Sequence, residues 1–386
     1  MIPYGRQEIT EGDIESVVDV LRSDFLTQGP VVENFEKKVA SYCGTSHALA
    51  LNSATSALHV ACLALDVGPG DVVWTSPITF VASSNCALYC DADVDFVDIN
   101  PITYNMCCDA LEDKLQNAKR NGKIPKVVIP VHLTGQSCDM EKIHRLSQEY
   151  GFRIIEDASH AVGGRFKEGP VGSCKYSDVC VFSFHPVKII TTGEGGMVLT
   201  NNSKLMANMA RLRSHGITRD PALMGQEDPE PWWYEQIELG LNYRMTEIQA
   251  ALGLSQMHRL DKYVAVRNEL ANRFDELLAD LPLTTPTQRD DCYSSRHLYV
   301  IRLHLSEIGK TRREVFEALR SNGIGVQIHY IPVPSQPYYR SLGFADEDYP
   351  NGLKYYHEAI SLPLFPTMTT EQQDKIVSVL SDILRS

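Results

Sequence analysis

Seven short strand-like runs, at 48–51, 72–75, 94–97, 127–131, 153–156, 179–182 and 197–200, recur with helical patterns between them. Alternation of this kind predicts an α/β fold with a mostly parallel sheet covered by helices on both faces. Ahead of the first run, Thr10, Glu11, Gly12 and Asp13 form a capping-type helix start, and Ile14, Val17, Val18 and Leu21 share one helical face. That helix is expected to pack on the main body. Beyond about residue 258 the pattern changes to a long polar helix, a strand at 298–301, a helix near 312–321 and a last helix from about residue 370. The expected division is a large domain over 1–257 and a smaller α/β domain over 258–386, with an exposed Pro-, Glu- and Asp-rich loop over 219–233.

At 386 residues the chain exceeds one typical core. Its 49 acidic against 36 basic side chains give a formal charge of −13, with no basic cluster to neutralise phosphates, so nucleic acid is not an expected partner. No stretch reaches the roughly 18 apolar residues of a membrane span, and the first residues carry no basic segment leading into an apolar one. A soluble cytoplasmic protein is the expectation. The ten cysteines are scattered without a Cys-x-x-Cys pair, which predicts reduced, mostly buried thiols and no metal site.

The chemistry concentrates around Lys188. It follows Ser183, Phe184, His185, Pro186 and Val187, precedes the turn Thr191 to Gly196, and lies 31 residues after Asp157. A lysine amine forms a Schiff base with an aldehyde cofactor, and a buried carboxylate holds a pyridine nitrogen protonated, so this pairing is what a pyridoxal phosphate (PLP) enzyme needs. Asn52, Ser53, Ala54 and Thr55 follow a strand and open a helix, where free backbone N–H groups cradle a phosphate; an ordinary serine cap is the plain alternative. Ser183 is either a second phosphate ligand or a strand-end hydroxyl bonded to backbone. Phe80 is a candidate for stacking on the cofactor ring or a core residue, and His160 for contacting the ring or its hydroxyl, or a structural histidine.

Read together, these segments resemble the DegT/DnrJ/EryC1/StrS family of sugar aminotransferases, fold type I PLP enzymes, over nearly the whole chain. The resemblance implies that Lys188 carries the cofactor, that Asp157 pairs with its pyridinium, that Ala54, Thr55 and Ser183 lie at its phosphate, and that Asn242 reaches that phosphate from the second subunit of a homodimer. It further implies a sugar-nucleotide site lined by Tyr4, Phe25, Leu26, Thr27, Gln28, Ser53, Ser183, Asn242, Gln327, Ile328, His329 and Tyr330. By their residues alone, Tyr4 and Tyr330 read equally well as packing aromatics, and Gln327 and His329 as polar strand groups. The segments around His160, Thr191 to Gly196, His215 and Gln327 to Tyr330 look most like the pseudaminic acid branch. That branch aminates C4 of a UDP-linked 4-keto-6-deoxy-N-acetylhexosamine, giving UDP-4-amino-4,6-dideoxy-N-acetyl-β-L-altrosamine, with glutamate as the implied donor. A different nucleotide-linked keto sugar, or a binding-only regulator, are the competing readings.

Overall fold

The computed structural model describes residues 1–385. Seven strands make the central sheet: β1 (His47–Leu51), β2 (Val72–Thr75), β3 (Asp93–Phe96), β4 (Val127–Ile129), β5 (Arg153–Asp157), β6 (Val179–Ser183) and β7 (Gly196–Thr200). Their order is β1-β7-β6-β5-β4-β2-β3. The pairs from β3 through β6 are parallel, whereas β7 runs antiparallel to both β1 and β6. Each expected run thus became a strand, within a few residues. The fourth stops at Ile129 because Pro130 has no N–H to donate.

Both faces of the sheet are covered, and β6 shows it residue by residue. Val179 and Val181 enter one apolar cluster, together with Val60 and Ala61 of helix α3 (Ala54–Ala64). Cys180 and Phe182 point the other way, into a cluster with Phe35 and Val39 of helix α2 (Pro30–Cys43). The period of two along a strand therefore feeds two cores.

Helix α1 (Glu11–Arg22) forms with the expected start, the Thr10 N–H donating to the Asp13 carboxylate at 2.9 Å. Its packing face, however, differs from the one expected. Ile14 and Leu21 are 46% and 55% exposed, whereas Asp13 and Val20 are buried. Asp13 accepts hydrogen bonds from Arg259 at 2.6 and 2.7 Å, Ser255 at 2.6 Å and Gln256 at 3.1 Å, which tie α1 to helix α4 (Glu247–Met257) and the residues just after it. A satisfied buried carboxylate decides the orientation, and the apolar stripe faces outward. Burial alone raises the Asp13 pKa, but Arg259, Ser255 and the Thr10 backbone outweigh it and bring it from the ordinary 3.8 down to about 2. The stabilisation is present above about pH 4 and is lost as pH falls through 2. Urea midpoints of the native protein should drop between pH 5 and pH 3 more steeply than those of Asp13→Asn; equal slopes would refute this role.

A second core lies under an antiparallel sheet of Leu283–Thr284, Tyr299–Leu303 and Ala359–Leu362. Three helices enclose it: α5 (Leu260–Leu277), α6 (Arg312–Ser321) and α7 (Thr370–Arg385). The start of α5 (Leu260, Tyr263, Val264) packs in the large body and its end (Ala271, Phe274) in the second core. Ile2 belongs to the second core and bridges to Ile324, so the first residues sit across the expected boundary. We propose that the chain divides at the turn between α4 and α5, with the residues around Ile2 counted in the second part. The 219–233 segment is largely exposed, Trp232 within it by 71%, and Tyr234 and Leu239 after it are 52% and 85% exposed. The ten cysteines are free thiols, eight of them buried. No helix among the described residues is long and apolar enough to cross a membrane.

Candidate active site

The carboxyl ends of β2, β4, β5 and β6 open on one side of the sheet, where ligand sites of open α/β folds form. Twelve residues, 184–195, join the end of β6 to the start of β7 and carry Lys188. Backbone bonds from Phe184 N–H to Gly195 (2.9 Å) and from Thr192 N–H to Phe184 (3.0 Å) close this loop beyond the strands themselves. Beside it, Ser53 caps α3, its hydroxyl accepting the Ser56 N–H at 3.1 Å. The first turn of α3 approaches β7 so closely that a Cβ on Gly196 would fall 2.4 Å from the Ser53 carbonyl oxygen, which is why glycine stands there.

Between these elements lies a cavity of about 450 Å³. Asp157, at the end of β5, is buried, and both carboxylate oxygens are held: Oδ1 accepts the Ser159 N–H at 3.1 Å and Oδ2 accepts the Ser83 hydroxyl at 2.6 Å. Burial lowers the Lys188 amine to about 8, and the charge of Asp157 opposes the shift. Three imidazoles share the wall. The His160 ring lies 4.5 Å from that of His297, and His329 Nδ1 bonds to the Ser361 hydroxyl at 2.8 Å. Burial first, and neighbouring positive groups including Lys188 second, lower all three, His329 to about 3. They are neutral at pH 7. The Thr134 N–H donates to His160 Nδ1 at 3.3 Å, which leaves Nε2 to carry the proton and donate to the Tyr330 hydroxyl at 3.0 Å. His160 thus spends its donor on Tyr330, where the sequence suggested a ring hydroxyl as one partner.

Of the residues singled out in the sequence, Lys188, Asp157, His160 and Ser183 meet in this cavity with Ala54 and Thr55. Tyr4, Ser53, Phe80, His329 and Tyr330 also line it, Phe80 being 60% exposed with its ring 6.2 Å from that of Tyr330. Phe25, Leu26, Thr27, Gln28 and Asn242 do not line it and are exposed on the surface. Gln327 is exposed, and Ile328 packs on the second core. Sequence reasoning missed Thr79, Ser83 and His297. Thr79 and Ser83 flank Phe80 and offered a weak hydroxyl pattern; His297 offered none. Its Nδ1 is buried with no partner among the described residues.

An amine depressed by burial, felt by a doubly held carboxylate and set beside a free helix N-terminus, is the site of an enzyme that handles amines through a phosphate-bearing cofactor. The model of the DegT/DnrJ/EryC1/StrS aminotransferase family matches residues 7–381, and the chain belongs to that family. Among curated relatives, the spore coat polysaccharide biosynthesis protein SpsC of Bacillus subtilis is 37% identical, covering 100% of this chain and 97% of its own. The UDP-4-amino-4,6-dideoxy-N-acetyl-β-L-altrosamine transaminase of Campylobacter jejuni is also 37% identical, covering 100% and 98%. Among solved structures, Helicobacter pylori PseC, an aminotransferase of pseudaminic acid biosynthesis, superposes with a TM-score of 0.90 at 31% identity, covering 100% of this chain and 99% of its own.

Proposed function

We propose that this aminotransferase is PLP-dependent and moves an amino group from glutamate to C4 of a UDP-linked 4-keto-6-deoxy-N-acetylhexosamine. The observation that carries the reading is the Lys188 amine sharing one cavity with the doubly hydrogen-bonded Asp157. The donor set fits the cofactor. Ser183 and the N–H groups at Ala54 and Thr55, which have no intrahelical acceptor, suit a phosphate. Asp157 suits a pyridinium, and the exposed Phe80 face suits the ring plane. When bound, the cofactor supplies an aldehyde for the amine and a ring that accepts electrons from the adjacent carbon.

The chain's own residues do the rest. Near pH 8 a large share of Lys188 is unprotonated, so Nζ would act as a nucleophile and, once displaced, take the proton from the donor α-carbon in one half reaction and deliver one to the acceptor carbon in the other. Asp157 would pair with the ring nitrogen and hold its proton. The uncharged His160 and His329 serve as hydrogen-bonding walls, with no added positive charge beside Lys188.

A homodimer completes the site in this reading. Support comes from the outward stripe of Ile14 and Leu21, continued by Phe25 and Leu26 at 53% and 49% exposure, and from Asn242 standing on the surface away from its own cavity.

The test is a panel of nucleotide-linked keto sugars with glutamate as donor. The UDP-linked 4-keto-6-deoxy-N-acetylhexosamine should show kcat/KM at least about 100-fold above dTDP-linked keto hexoses, the scale of a lost set of buried polar contacts. A dTDP or 3-keto substrate in the lead would refute the acceptor and leave the reaction class standing.

A further inference from the structure

Asp157 is held from a direction that the sequence hides. Ser83 lies in the short helix Ala82–Leu88, one turn after Phe80, and it is fully buried, as is Thr79 four residues earlier. The Ser83 hydroxyl has two acceptors within reach, Asp157 Oδ2 at 2.6 Å and the Phe80 carbonyl at 3.3 Å. The carboxylate oxygen is much the closer acceptor, so it receives the hydrogen bond. Thr79 Oγ1 lies 2.7 Å from Ser83 Oγ. Because the single Ser83 hydrogen is committed to Asp157, the hydrogen in that contact belongs to Thr79. The bonds therefore run one way, from Thr79 to Ser83 to Asp157.

We propose that Ser83 and Thr79 are positioning residues of the reaction: their directed hydroxyl pair, with the Ser159 N–H on the other oxygen, fixes the plane of the Asp157 carboxylate and aims its remaining lone pairs at the cofactor ring. This rests on the PLP reading above. Two hydroxyls donating in series strengthen each other, and a carboxylate pinned at both oxygens by residues 74 positions and two positions away in sequence cannot rotate without breaking one of these bonds. Thr79 also lines the cavity, so the relay begins at the substrate-facing wall. Lys188, Tyr330 and Cys180 are the titratable groups among the described residues whose ionisation responds to the Asp157 charge.

The experiment uses the PLP-loaded enzyme and follows the pH at which its visible absorption band changes, together with PLP dissociation and kcat. Ser83→Ala and Thr79→Val should move the band transition in the same direction as Asp157→Asn, by a smaller amount, and Ser83→Ala should lower kcat by about tenfold, as expected for loss of a bond to a charged group. Thr79→Ser, which keeps the hydroxyl, should titrate like the native enzyme. Adding Ser83→Ala to Asp157→Asn should change nothing further. A native titration in Ser83→Ala or Thr79→Val, or full additivity with Asp157→Asn, overturns the relay while leaving the role of Asp157 intact. If Asp157→Asn itself leaves the band unmoved, the pyridinium reading falls and the relay falls with it.

Discussion

Lys188→Ala is expected to fold, to bind PLP non-covalently through the remaining walls of the cavity, and to lose transaminase turnover by more than about 10⁴-fold. The size follows from the two tasks of one atom. In the proposed mechanism Nζ would make the covalent attachment and then carry the proton, and among the described residues no other amine lines the cavity to replace it. Borohydride reduction of the native holoenzyme, followed by peptide mass mapping, should place the adduct on Lys188 and leave the variant unlabelled. The pH dependence has a defined sign. Only the neutral amine attacks an aldehyde, and burial lowers this amine to about 8 against the opposing pull of Asp157. The rate at which apoenzyme takes up PLP should therefore rise as pH passes through about 8, well below the ordinary lysine range. Native turnover by the alanine variant, or an adduct at a different lysine, would refute the assignment.

Glu247→Ala should be the most damaging single change to the fold away from the cavity. Glu247 is fully buried at the start of α4, yet its carboxylate serves another helix. Oε1 accepts the Gly29 and Val32 N–H groups at 2.9 and 3.3 Å, and Oε2 accepts that of Val31 at 2.6 Å. Pro30 lies between them and has no N–H to satisfy. A negative charge at the positive end of α2 is favourable in itself, and alanine strands three donors in partly buried positions. We expect a loss of about 2–4 kcal/mol in urea unfolding, with Glu247→Gln falling between alanine and the native protein. The same residue donates its own N–H to Leu26 at 3.0 Å, so the variant should also disturb the exposed segment from Phe25 to Gln28. A shift under about 0.5 kcal/mol, the scale of an ordinary surface change, would refute the capping role.

Short apolar runs revealed the sheet because strands buried on both faces need continuous apolar stretches, and β6 and β7 are buried at every position. The same logic misled at α1. Counting apolar residues favoured the face of Ile14 and Leu21, whereas the deciding contact is Asp13 with Arg259, 246 residues away. Periodicity carries no information about a partner at that distance. The cavity divides in the same way. Lys188 and Asp157 stand out because each ends a recognisable local pattern, and β5 and β6 are neighbours. Ser83 and His297 reach the site through contacts between distant segments, and a serine in a short helix or a histidine before a strand has no local mark of it. The segment from Phe25 to Gln28 shows the converse: its residues were legible as a motif, yet they lie outside the cavity of their own chain.

The return of β7 against β6 has a bearing on how such an enzyme diversifies. Both ends of the loop bearing Lys188 are sewn into the sheet, so its backbone has little room to drift. Tyr4, His329 and Tyr330 come from chain that is anchored on the other hydrophobic body. New acceptors can be accommodated by reshaping that opposite jaw, while the machinery for moving nitrogen remains where it is.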